Sequence, residues 1–102
     1  MTDAEMLAML EADLEIVTDY MDSTAKTAKE TELTQYINAA KTYITREGVT
    51  LDLADPGDAR LVCMYASWLY RARKVPDITP MPRHLRWNLN NRLYQQKIRE
   101  AT

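Results

Sequence analysis

The sequence contains no phenylalanine and, in 102 residues, only two glycines, one cysteine and one histidine. Each scarcity closes off a class of protein. Gly48 and Gly57 alone cannot make a Walker-type or GxGxxG phosphate-binding loop. The lone Cys63 excludes an intrachain disulfide and fits a reducing cytoplasm; inside an apolar run it reads as a small buried hydrophobe. His84 stands beside Arg83 and close to Arg86, with no second His or Cys at metal-ligand spacing, whereas a zinc site takes three or four protein ligands. It reads as a surface residue. Ser23 and Ser67 lack the His and acid partners of a nucleophilic triad. No enzyme, metal site or cofactor is expected. Basic charge is also missing from residues 1–22, so the start does not read as a cleavable secretory signal. The longest apolar run, Leu61–Tyr70, is far short of the roughly 20 residues that span a membrane.

What is present favours helices. Ala, Leu, Met, Glu, Lys, Gln and Arg are abundant, and the few glycines and prolines argue against many strands and tight turns. A chain of this length makes one domain that buries roughly two-thirds of its unfolded surface. The chain is organised around DPGDARLVCMYASWLYRARK, residues 55–74. From Leu61 to Tyr70 every residue but Ser67 is apolar or aromatic, so a helix here must be covered on several sides. Asp55 is placed to cap it, Pro56 suits its first position, Asp58 complements the helix dipole, and Pro76 stops it. The spacing therefore predicts a central buried helix over Pro56–Lys74.

Around it the periodicity predicts three more helices, giving an all-α bundle of about four with a buried third helix. Met6, Met9, Leu10, Leu14 and Val17 mark an amphipathic first helix over Asp3–Ile16. Thr18–Thr24 reads as a loop, with Asp22, Ser23 and Thr24 as capping residues and the second helix starting near Ala25. Leu33, Tyr36, Ile37, Ala40, Tyr43 and Ile44 form its stripe, and Gly48 closes it. Val49–Ala54 is an extended link. After the proline-containing turn Val75–Met81, Pro82 opens a last helix that runs to about Glu100.

Charge is divided along the chain. Residues 1–22 carry seven acids and no base, while residues 71–102 carry eight bases against two acids. Opposite ends of this kind can pair within the chain or between copies arranged head to tail. The last helix is also two-sided. Leu85, Leu89 and Leu93 make one ridge, and Trp87, Tyr94 and Ile98 fall on roughly the opposite side at 100° per residue. Either the second ridge packs beneath the first helix, or it is an interface, since aromatics and Arg are enriched at contact cores. A third reading is a small helical DNA-binding regulator, because Arg83, Arg86, Arg92, Lys97 and Arg99 share this helix with Asn and Gln side chains. Against it stand the long proline-containing turn and the acidic total of −2.

The order LEADLEI, QYINAAKTYITREGV, DARLVCMYASWLYRAR and MPRHLRWNLNNRL resembles the small phage and prophage head–tail connector (adaptor) proteins over roughly residues 7–97. The most specific stretches are Ala39-Ala40-Lys41 with Ile44 and Gly48, then Met64-Tyr65-Ala66 to Tyr70-Arg71, and Met81-Pro82-Arg83 to Leu93. The residues between Thr18 and Thr31 depart from that pattern. The resemblance implies an all-α protein that forms a ring, commonly of twelve copies, beneath the portal protein at the head vertex. Such a ring extends the DNA channel, lets DNA pass without sequence recognition, and receives head-closure (stopper) or tail proteins. It implies a place in the virion at the head–tail interface, reached from the host cytoplasm, and portal contact on Arg83–Glu100. Arg86, Trp87, Arg92, Tyr94 and Ile98 are expected to contribute to assembly. Glu11 and Glu15 are expected to face bases of the adjacent copy, and the acidic first helix is expected to face the channel, where tight phosphate binding would slow DNA.

Overall fold

The computed structural model describes residues 2–16, 20–73 and 80–101. It has four helices, α1 (Asp3–Asp13), α2 (Ser23–Arg46), α3 (Pro56–Ala72) and α4 (Arg83–Ala101), and no strand among the described residues. This is the all-α bundle the periodicity predicts. Lys74, Pro76 and most of the turn that follows lie outside the described residues, as do Val17, Thr18 and Asp19.

α1, α2 and α3 each begin on a local capping signal. Thr2 and Glu5 form a reciprocal capping box at α1, with Thr2 Oγ1 accepting from the Glu5 N–H at 3.2 Å and Glu5 Oε1 accepting from the Thr2 N–H at 3.2 Å. These bonds hold the Glu5 carboxyl below its ordinary pKa. Asp22 caps α2 through the Ala25 N–H at 2.7 Å, so the helix starts at Ser23, slightly earlier than the threonine-rich segment suggests. Asp55 accepts from the Gly57 N–H at 2.8 Å and Pro56 takes the first position of α3, as expected.

The ends differ more. α1 stops at Asp13 rather than Ile16, because Glu15 adopts a left-handed backbone, φ 57°. The Ile16 N–H then reaches Glu11 O at 2.9 Å and the Glu15 N–H reaches Ala12 O at 3.1 Å. That is a Schellman closure without its usual glycine, which is why the sequence conceals it. Ile16 turns back onto the core as its apolar contact. At the end of α2 the expected glycine is in place: Gly48 has φ 105° and donates to Thr45 O at 3.0 Å.

One core joins all four helices. α3 touches the other three, burying Ala59, Leu61, Val62, Cys63, Tyr65 and Ala66 against Met6 and Leu10 of α1, Leu33, Ile37, Ala40 and Ile44 of α2, and Leu85 and Leu89 of α4. An all-round apolar helix has found its cover on several sides. The Cys63 thiol points at Met6 O, 3.5 Å away; burial first, and then the Asp13 charge, push its pKa up to about 11. Tyr43 stays at the rim of its stripe, 42 % exposed, with its ring stacked on Tyr65.

α4 is held by two different forces. Its first half is attached by Leu85, Leu89 and Leu93. Its second half is attached by polar bonds to the 48–52 link. Arg92 grips Asp58 with two hydrogen bonds, Nε to Oδ1 at 2.6 Å and a terminal nitrogen to Oδ2 at 3.0 Å, and the same nitrogen donates to Thr50 O at 2.9 Å. Gln96 accepts from the Thr50 N–H at 2.7 Å and donates to Gly48 O at 2.8 Å, while Asp58 Oδ2 accepts from the Asp52 N–H at 2.9 Å. The Asp58 side chain is 3 % exposed and that of Arg92 16 %. Burial pushes the Asp58 carboxyl up, but the Arg92 guanidinium, the Asp52 N–H and the charge of Arg99 outweigh it, leaving its pKa below the ordinary carboxylate range. The bond to Asp58 raises Arg92 correspondingly.

Removing one member strands the other. Arg92→Met is expected to cost about 3–5 kcal/mol at neutral pH, read from urea midpoints, because an ionised carboxylate is left buried. The double variant Asp58→Asn/Arg92→Met should lose less than Arg92→Met alone. Since the folded pKa of Asp58 lies below its unfolded value of about 3.9, its contribution is fully present above that value and is lost as pH falls below it and through the folded pKa. The stability gap between the wild type and Asp58→Asn should therefore narrow from pH 5 to pH 3; a constant gap would reject the pairing. Separately, Glu15→Gly should stabilise α1 by about 1 kcal/mol, by relieving a left-handed side chain.

Candidate interaction surface

At 100° per residue, Leu85, Leu89, Arg92, Leu93 and Gln96 fall on the inner side of α4, and Trp87, Asn91, Tyr94 and Ile98 fall within about 60° of one another on the outer side. The structure places them accordingly. Leu85 and Leu89 are buried, whereas Trp87 and Tyr94 are each 65 % exposed and Ile98 48 %. The alternative in which Trp87 and Tyr94 pack beneath the first helix is not realised. α1 packs instead on α2 and α3.

The residues expected at an interface divide into groups. Arg83, Trp87, Tyr94 and Ile98 share the exposed side of α4. Arg86 lies on its flank in an ion pair with Glu47 at the end of α2. Arg92 points inward, committed to Asp58 and Thr50, and so holds α4 in place. Glu11 is half-buried on α1, and Glu15 is exposed just beyond it. The two charged ends are tied to the middle of the chain, Asp3 pairing with Lys41, Arg86 with Glu47 and Arg92 with Asp58, and to each other, Arg71 donating to the backbone carbonyl of Asp13.

These engagements weigh on the nucleic-acid reading. Arg86, Arg92 and Gln96 are bonded within the fold, and the Asn88 side-chain amide donates to His84 O at 2.8 Å. Several polar groups of α4 that would meet phosphates or base edges thus already have protein partners.

Beside the exposed stripe, α3 and α4 enclose an open groove of about 670 Å³, walled by Trp87, Asn91 and Gln95 on one side and Leu61 and Met64 on the other. His84 stands at its end and also borders a second groove, of about 410 Å³, that reaches Trp68 and Arg71. Among the described residues no three His, Cys, Asp or Glu side chains gather where a metal ion would be held. No helix of the described residues is long and apolar enough to cross a membrane. Fold and surface together define an all-α helical domain with an exposed aromatic stripe on its last helix. No family model, no curated protein and no solved structure matches the chain.

Sequence reasoning missed the Asp58–Arg92–Gln96 network. Asp58 reads as a charge favouring a helix start, and Arg92 as one base among several. The one available signal was register: Arg92 and Gln96 continue the inner side of α4 beyond Leu85 and Leu89.

Exposure on one side of α4 and burial on the other predict opposite responses. The double substitution Trp87→Ala/Tyr94→Ala should change the unfolding free energy of the isolated chain by no more than about 0.5 kcal/mol per site. Leu89→Ala should cost about 2–5 kcal/mol. Denaturant titrations of the two variants check the assignment, and a large loss in the first would place the rings in the core.

Proposed function

We propose that the protein is a structural head–tail connector of a tailed phage or prophage. It forms a ring beneath the portal protein, extends the DNA channel and receives head-closure or tail proteins. Its work is geometric, without turnover or cofactor, and its place is the head–tail interface of the virion, reached from the host cytoplasm during assembly. One observation carries this reading: a helical domain with its own core displays Trp87 and Tyr94, each 65 % exposed, on the side of α4 away from its core ridge. Aromatic rings bordered by Arg83 and Lys97 have the composition of a contact core with a charged rim. The order of sequence motifs supports the same reading. The DNA-binding alternative is supported less well, because Arg86, Arg92, Asn88 and Gln96 are already engaged within the fold.

Co-expression with the portal protein encoded beside it tests the proposal. The wild-type chain should co-purify with the portal and appear as a ring on it by negative stain. Trp87→Ala/Tyr94→Ala should remain helical and soluble yet fail to assemble. A wild-type chain that never associates with the portal would remove the connector reading.

A further inference from the structure

The stripe on α4 requires an occupant, and the chain itself carries a face that matches it. α1 turns Met6 and Leu10 into the core. Its other side presents Ala4, Ala8 and Ala12, all exposed at four-residue spacing. A row of methyl groups lets bulky side chains approach the helix closely, as ridges enter grooves. Ala4 to Ala12 spans about 12 Å along α1, and Trp87 to Tyr94 about 10.5 Å along α4, so two large rings match a two-turn row of small residues. The rims are complementary as well: exposed Glu5 and Glu15 belong to the acidic end of the chain, and exposed Arg83 and Lys97 to the basic end. Within one subunit the two faces do not meet, because α1 and α4 each pack on α3 with these sides turned outward.

We infer that the Trp87–Tyr94 stripe of one copy docks on the Ala4–Ala8–Ala12 face of a second copy. This rests on the reading of α4 as an assembly surface and adds its occupant. The contact is heterologous: every copy offers one α4 and one α1, and repetition of the same step gives a closed ring or an open chain. It assigns the outer side of α1 to a subunit contact instead of the channel wall. A single helix-on-helix contact falls below the roughly 1,200 Å² of a stable interface, so association of free subunits is weak and depends on concentration.

Cross-linking tests the pairing, in free protein at high concentration and with the portal present. Cys63 is fully buried and its thiol poorly ionised, so introduced cysteines react selectively. Ala8→Cys mixed with Asn90→Cys, at an exposed position between the two rings, treated with a short bismaleimide, should give a covalent dimer. Neither variant alone should do so, and the double variant should give a ladder. Ala8→Arg, a change at an exposed site, should weaken self-association at least tenfold with its circular dichroism unchanged. Self-linking of Asn90→Cys alone would mean that α4 meets α4, and overturns the inference. Absence of the mixed dimer under both conditions, with portal capture intact, also overturns it while leaving the connector reading standing. A mixed dimer without portal capture supports the inference and removes the connector reading.

Discussion

The buried pairing of Asp58 with Arg92 is the constraint on which the placement of α4 depends. An ionised carboxylate that is 3 % exposed persists only if its charge and lone pairs are met, and here they are met by a two-pronged guanidinium and by the Asp52 N–H. Because Arg92 also holds Thr50 O, one side chain joins the start of α3, the link that follows α2, and the middle of α4. The requirement is directional, unlike that of the leucine ridge, and a rotation of α4 about its own axis would break it. It fixes which side of α4 faces solvent.

That rotational setting has a functional consequence. With Arg92 and Gln96 held inward, Trp87 and Tyr94 must project outward, half a turn away. The polar network therefore has two effects: it completes the attachment of the helix where the leucines end, and it presents an aromatic stripe. Exposed rings carry a solubility cost. The proposed assembly contact would cover them, and the oppositely charged chain ends would supply its complementary rims. In this view the small core around α3 is a rigid support, and the outer sides of α1 and α4 are its working surfaces.

Much of this was legible in the residues. The four helices, the central position of α3, the caps at Asp22 and Asp55, the left-handed Gly48 and the opposite ridges of α4 follow from periodicity and from local backbone chemistry, which act over a few neighbouring positions. The early end of α1 did not follow, because Glu15 adopts a conformation normally signalled by glycine. The function of Arg92 did not follow either, since a base that grips a buried acid 34 positions away looks, in one dimension, like any other base on a helix.

What the sequence by itself determined is therefore local: helix content, most boundaries, the apolar third helix and the pairing of ridges on the fourth, all set by propensity and by 3.6-residue geometry. Only the tertiary structure decided which ridge of α4 is sheltered, which of its charges are consumed internally, and that the Ala face of α1 and the aromatic face of α4 both remain outside. Those outcomes depend on desolvation and on contacts between segments distant along the chain, and neither is encoded in the spacing of neighbouring residues.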